Sequence, residues 1–259
     1  MEHFEGTGGL EIVYDDWPGD PQRPPVVLHH GFAADVSSNW VTPGVVSSLE
    51  ATGRRVVAVD ARGHGRSAKP HDPAAYDSPA MTSDLSLLFD HLGLDQFDLV
   101  GYSMGGFVAL ETATRDARLR SLVLGGIGAG ALPGENVGPP IDRAAVAEAL
   151  EADDPAMASS AGRGFRMLAD ATGADRQALA AVLRARPHAP GPLSSILCPV
   201  LVLAGDADPL TAGVDDLVSA LPTARFVSVP GDHLGAVRHE AFVSAIGDFL
   251  DEVDSAGAG

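Results

Sequence analysis

Six short runs of β-branched and other apolar residues punctuate the chain, and most lead into a Gly-rich turn and then a helical pattern. They are Pro25–His29, Arg55–Asp60, Phe97–Gly101, Leu122–Gly125, Val200–Ala204 and Arg225–Val229. Apolar residues in these runs are nearly continuous rather than alternating. Strands covered on both faces read this way, and such strands belong to parallel sheets. The strand–helix alternation therefore predicts an α/β fold with a doubly wound, mostly parallel sheet. Glu11–Tyr14 departs from the pattern and reads as one arm of an antiparallel hairpin at the sheet's edge. Ser78 and Pro79 read as N-cap and first residue of a helix with Leu85, Leu87, Leu88, His91 and Leu92 on one face, ended by Gly93. Phe242, Ile246, Phe249 and Leu250 make a second helical stripe, with Ser255–Gly259 as a frayed tail.

Residues 132–195 interrupt the rhythm with helical segments and no convincing strand. Helices are expected over Ala144–Ala152, Ala156–Ala171 and Ala174–Arg186, bracketed by Pro139-Pro140 and by Pro187, Pro190 and Pro192. The expected organisation is a core domain of residues 1–131 and 196–259 with an inserted helical cap, 132–195. The chain has 259 residues, 45% of them apolar and 20% charged, enough to bury a real core. Its formal charge of −18 argues against nucleic acid or an anionic membrane as partner, because phosphates repel it. One cysteine, Cys198, excludes an intramolecular disulfide framework and a multi-Cys zinc site. The acidic start, Met1–Glu5, lacks a signal-peptide layout, and no apolar run approaches the ~18 residues of a membrane span. A cytoplasmic globular protein is expected; the sequence assigns no oligomeric state. Residues 155–188 reverse the charge locally, with five arginines (163, 166, 176, 184, 186) against Asp170 and Asp175. Two expectations follow: this stretch docks electrostatically on the acidic core, or one arginine meets an anionic group of a substrate.

Gly101-Tyr102-Ser103-Met104-Gly105-Gly106 follows a predicted strand and opens a helical run. A nucleophile elbow needs this layout: a serine on a strained strand-to-helix turn, with small neighbours two residues away where backbones crowd. The Met104 N–H would then face a substrate from a helix N-terminus and help hold an oxyanion. An acid and a histidine should follow in that order. Gly205-Asp206-Ala207-Asp208 and Gly231-Asp232-His233 both sit in loops after predicted strands, on the side of a parallel sheet where sites assemble. His233 would take the Ser103 proton while a carboxylate orients it. His30, His64 and His239 read as turn and helix-end residues, and Asp206 as a turn residue. Gly126-Ile127-Gly128-Ala129-Gly130-Ala131 mimics a dinucleotide fingerprint, but Pro133-Gly134 follows where a helix would be required.

With these motifs the chain resembles the α/β-hydrolase superfamily over nearly its whole length, in a serine-nucleophile, esterase-like branch with a small helical cap. His30-Gly31-Phe32 is similar to the family's oxyanion loop and Asp60-Ala61-Arg62-Gly63-His64-Gly65-Arg66-Ser67 to its D-x-R-G-x-G-x-S turn. The resemblance implies Phe32 as the second oxyanion donor and Asp208, three residues after the glycine, as the acid. It also implies that Ser103, in place of the Asp used by epoxide hydrolases and haloalkane dehalogenases, favours acyl transfer. The expected activity is hydrolysis of a small to medium, largely apolar carboxylic ester, with no cofactor and no metal. Carbon–carbon, thioester or lactone hydrolysis and cofactor-free perhydrolysis use the same triad, and a non-catalytic receptor on this fold is an alternative of another class. Trp40, Met157, Phe165 and Met167 are candidate substrate contacts, as are Leu168, Leu179 and Leu183 in the cap.

Overall fold

The computed structural model describes residues 1–132, 141–154, 160–187 and 189–257. Two N-terminal strands, β1 (Glu2–Glu5) and β2 (Glu11–Trp17), form the antiparallel hairpin, and β2 also pairs antiparallel with β4 (Val56–Val59). The rest is parallel: β4 to β3 (Val26–His29), β3 to β5 (Phe97–Tyr102), then β6 (Leu119–Gly125), β7 (Val200–Gly205) and β8 (Ala224–Val229). The resulting sheet has eight strands in the order β1-β2-β4-β3-β5-β6-β7-β8. Because β4 lies on one side of β3 and β5 on the other, the winding reverses between β3 and β5. In open α/β sheets the crevice at the carboxyl ends of such strands receives ligands.

Every residue of β3, β4, β5 and β7 is buried, as their continuous apolar runs require. The alternating side chains feed two cores. Val27, Leu99, Leu122 and Val202 pack with α2 (Ala80–His91), α3 (Met104–Ala113) and α7 (Val214–Ala220). Val26, Leu28, Val100, Val123 and Leu203 pack with α1 (Val45–Ala51) and α8 (Glu240–Gly257). β8 differs from its neighbours: Arg225 and Phe226 are exposed because the strand closes the sheet with one edge unpaired. No helix among the described residues is long and apolar enough to cross a membrane.

Two helix ends depart from the sequence reading. Ser78 does not cap α2, which starts at Ala80; its hydroxyl instead donates to Glu111 on α3 at 3.0 Å. Leu87 and His91 face outward, and Met81 and Phe89 take their places in the core. Ser255 lies within α8 rather than in a frayed tail, because Arg54 and Arg120 fasten Asp251 and Asp254 in the last turns at 2.6–2.8 Å.

Between β6 and β7 the described residues form α4 (Arg143–Glu151), α5 (Ser160–Thr172) and α6 (Arg176–Arg184), with no strand among them. They close around Val146, Ala147, Leu150, Ala169, Leu179 and Ala180, and Ala33 from the loop after β3 enters the same cluster. The arginines of this segment act mostly inside it. Arg166 donates to the carbonyls of Ala149 and Ala152 at the end of α4 and pairs with Asp170; Arg184 forks onto Glu151. Arg176 also reaches the Ala152 carbonyl, at 3.3 Å. Arg186 bridges to the core, to Asp77, with His71–Asp175 as a second polar tie. Arg166, Arg176, Arg184 and Arg186 already have carboxylate or carbonyl partners that a substrate anion would have to displace.

The turn after β4 is fixed by a buried ion pair. Arg62 places two guanidinium nitrogens 2.6 Å from the Asp84 carboxylate on α2, and both side chains are almost wholly enclosed. Removing one member strands the other charge in the core. Arg62→Ala is expected to destabilise the fold by about 3–5 kcal/mol, read as a lowered urea midpoint; an unchanged midpoint would refute the anchor.

Candidate active site

α3 begins immediately after β5, and the connection is a single residue, Ser103, held at φ +52° and ψ −115°. A non-glycine residue tolerates that conformation only when its surroundings impose it. Here the Ser103 N–H donates to the Gly125 carbonyl at 2.8 Å, and the Ser103 carbonyl accepts from Gly106 and Phe107 in the first turn of α3. Close approach explains the flanking glycines. A methyl group on Gly105 would lie 2.0 Å from the His29 carbonyl oxygen, and one on Gly101 would lie 2.2 Å from the Gly105 oxygen. The turn can form only with both positions bare.

The other two polar groups arrive on loops after β7 and β8. Asp208 caps a 3-10 turn, Pro209–Thr211, accepting the Leu210 N–H at 2.9 Å through one carboxylate oxygen. Its other oxygen lies 2.7 Å from His233 Nδ1, and the carboxylate has no solvent-exposed surface. His233 Nε2 lies 2.9 Å from Ser103 Oγ. The structure thus brings Ser103, His233 and Asp208 into one line of hydrogen bonds. Asp206 faces elsewhere, accepting the Gly231 N–H at 2.9 Å and so bracing the histidine loop. Asp232 braces it further on, accepting from Leu234 and Gly235.

The loop after β3 runs beside the serine: a methyl on Gly31 would sit 3.3 Å from Ser103 Cβ. Asn39, which sequence reasoning passed over, fixes that loop by accepting the Gly31 N–H at 2.8 Å. Its place in a five-residue π-helical turn, Ser37–Val41, carries no local signal that could have revealed it. Phe32 and Met104, the two candidate amide donors, follow Gly31 and Ser103. Met104 is the first residue of α3, where N–H groups have no intrahelical acceptor and the helix dipole favours negative charge. The Phe32 ring meets Phe165 of α5 edge to face at 5.8 Å and His64 at 5.7 Å.

Of the candidate substrate contacts, Phe165 is therefore brought against Phe32 of the loop after β3. Trp40 is not: it is fully buried between sheet and α1 with Val36, Val45 and Val46, so no surface remains to offer a ligand. Met167 is 66% exposed, because the inward stripe of α5 runs through Gly162, Phe165, Arg166 and Ala169 and leaves it outside. Leu168, Leu179 and Leu183 pack within the helical segment. Met157 lies outside the described residues.

His30, His64 and His239 are each engaged elsewhere. His30 and His64 are buried, and desolvation lowers both; His64 falls to about 3, helped by its neighbour His30. His239 accepts the Ala241 N–H at the start of α8. Burial also raises the Cys198 thiol to about 11, which leaves it protonated and unreactive near neutrality. Among the described residues no group of three or more His, Cys, Asp or Glu could hold a metal ion.

A parallel sheet with this serine turn, acid loop and histidine loop at its carboxyl end is the arrangement of one hydrolase fold. The profile of the α/β-hydrolase fold family matches residues 24–160, and the chain belongs to that family. In sequence it is 39% identical over 133 residues to the sn-1-specific diacylglycerol lipase ABHD11 of Mus musculus, a match covering 50% of this chain and 41% of that protein. The chain spans less than half the length of the curated relatives it matches first. In structure it resembles the enol-lactonase from Burkholderia xenovorans LB400, with a TM-score of 0.77, 26% identity and coverage of 96% of this chain and 100% of the other. The esterase RhEst1 from Rhodococcus sp. ECU1013 gives 0.75, 27%, 97% and 98%.

Proposed function

We propose that this protein hydrolyses a carboxylic ester of a small to medium, largely apolar substrate through an acyl-enzyme intermediate. One observation carries the reading: the unbroken path Ser103 Oγ, His233 Nε2, His233 Nδ1, Asp208 Oδ2, with links of 2.9 and 2.7 Å. Ser103 Oγ attacks the carbonyl carbon as its proton passes to Nε2, and the carbonyl π pair becomes an oxyanion held by the Phe32 and Met104 amides. Collapse breaks the carbon–oxygen bond; the leaving alkoxide takes the proton from the imidazolium. Water then attacks the acyl-serine by the same route, releasing the acid. Asp208 fixes the tautomer and faces the imidazolium charge without taking its proton.

Three of the relatives, a diacylglycerol lipase, an enol-lactonase and an esterase, carry names that imply cleavage of an acyl–oxygen bond. The apolar preference rests on Phe165 and Phe32, which set an aromatic pair between the helical segment and the oxyanion loop. Lactone opening is the second reading, favoured by the full-length likeness to the enol-lactonase. The test is labelling with a fluorophosphonate, followed by mass-spectrometric mapping and a panel of p-nitrophenyl acyl esters and simple lactones. The expected result is one phosphonyl group on Ser103 and turnover that favours the short and medium acyl esters. Labelling without turnover of any ester or lactone would instead support a ligand-binding protein on this fold.

A further inference from the structure

Tyr102, the last residue of β5, takes no part in the steps above. Its side chain lies in the core between the sheet and α8, 4% exposed, with the Phe242 ring edge-on at 5.6 Å. From there the hydroxyl donates to the backbone carbonyl of His233 at 2.6 Å, and the two rings lie 5.5 Å apart, tilted by 36°. The turn after β6 makes room for this contact. A methyl on Gly125 would lie 2.7 Å from the Tyr102 ring; one on Gly126, at φ +66°, would lie 2.9 Å from Tyr102 and 3.1 Å from His233 Cε1. Two adjacent glycines, the second of them opening the dinucleotide-like run, thus clear the space in which the phenol and the imidazole meet.

We propose that Tyr102 is a positioning residue, whose hydroxyl holds the His233 backbone so that the imidazole stays between Ser103 and Asp208. The proposal rests on the serine-hydrolase reading. Its physical basis is the way His233 is mounted. The histidine hangs on a loop after β8, the edge strand of the sheet. Asp206 braces that loop two residues before His233 and Asp232 ties the residues after it, whereas the Tyr102 hydroxyl grips His233 itself. Tyrosine suits this role because its rigid apolar body packs in the core while its polar tip reaches a partner. A small displacement of a general base is costly, since a 1 Å error in a reacting geometry loses roughly 100-fold in rate.

A buried tyrosine hydroxyl could also be bonded merely for stability, so the test separates the two roles. Tyr76→Phe serves as the control: that hydroxyl is likewise buried and donates to the Pro70 carbonyl at 2.6 Å. Wild type, Tyr102→Phe and Tyr76→Phe are titrated with a fluorophosphonate to count competent sites, then assayed on p-nitrophenyl acetate. Expected for Tyr102→Phe is a kcat per titrated site lower by roughly ten- to 100-fold with KM within about twofold, and for Tyr76→Phe no change per site. A wild type that takes no fluorophosphonate overturns the hydrolase reading and this proposal with it. A labelled wild type whose Tyr102→Phe variant matches it in kcat per site, or changes only KM, overturns the positioning role alone.

Discussion

Ser103→Ala is expected to lower kcat on p-nitrophenyl acetate by roughly 10⁴–10⁶-fold and to abolish fluorophosphonate labelling. The substitution removes one oxygen and leaves the turn intact. Alanine keeps the same Cβ, and the backbone bonds that impose φ +52° run from the Ser103 N–H to Gly125 and to the Ser103 carbonyl from Gly106 and Phe107. Stability should therefore stay within about 1 kcal/mol, the net worth of the lost hydrogen bond to His233. A loss of activity without a loss of stability isolates the nucleophile. The residual rate reflects the amide donors and the bound geometry, which remain. A variant that turned over esters like the wild type would remove Ser103 from the mechanism, whatever the geometry around it.

The sheet was readable because strands buried on both faces must be apolar at every position, and β3, β4, β5 and β7 are buried throughout. Ser103 and His233 were readable for a related reason: each sits in a short segment whose backbone demands are local, with glycines where chains approach. Asp206 and Asp208 lie two residues apart in one loop, and it is the family resemblance rather than the residues themselves that favours Asp208. The fold decides it, sending Asp208 to Nδ1 and Asp206 to the Gly231 amide. Trp40 shows the opposite limit. Its place just after the His30-Gly31-Phe32 loop suggested a pocket wall, but a side chain that large fills whichever space the tertiary packing leaves, here the core beside α1. The misplacement of Met167 was avoidable, because helical phase from Phe165 and Ala169 already puts it on the outer face. Counting charges over 155–188 also left partners out of view. The decisive partners, Glu151 and the carbonyls ending α4, lie outside that window or carry no formal charge. Tyr102 was hidden in a variable position of the elbow, since its direction depends on Gly125 and Gly126, a strand away.

Acidification should destabilise this protein through its buried imidazoles from about pH 6.5 downward. His64 is almost wholly enclosed; its Nδ1 donates to the Arg62 carbonyl at 3.0 Å, and its Nε2 meets no hydrogen-bond donor among the described residues. His30, 5.2 Å away ring to ring, is also neutral, with Nδ1 donating to the Gly31 carbonyl and Nε2 accepting the Ala61 N–H. Charging either ring means burying a cation beside the other, so desolvation first, and then the mutual effect, keeps His64 at about 3. In the unfolded chain an imidazole titrates near ~6.5. Below that pH the unfolded state binds a proton that folded His64 refuses until about 3, so stability is complete above pH ~6.5 and declines as pH falls. At 1.36 kcal/mol per pH unit, His64 alone should remove about 2 kcal/mol between pH 7 and 5 and about 5 kcal/mol by pH 3. Burial lowers His30 in the same direction and adds to the decline. Against a typical total of about 5–15 kcal/mol, that is a large share. Urea unfolding at pH 7, 6 and 5 should show the fall, and His64→Gln, neutral at every pH, should flatten it. A slope unchanged in His64→Gln would place the titrating group elsewhere. Because the His64 ring packs on Phe32, the segment first loosened by acid includes the loop after β3. Activity lost below pH 6 should then contain a part that His64→Gln restores.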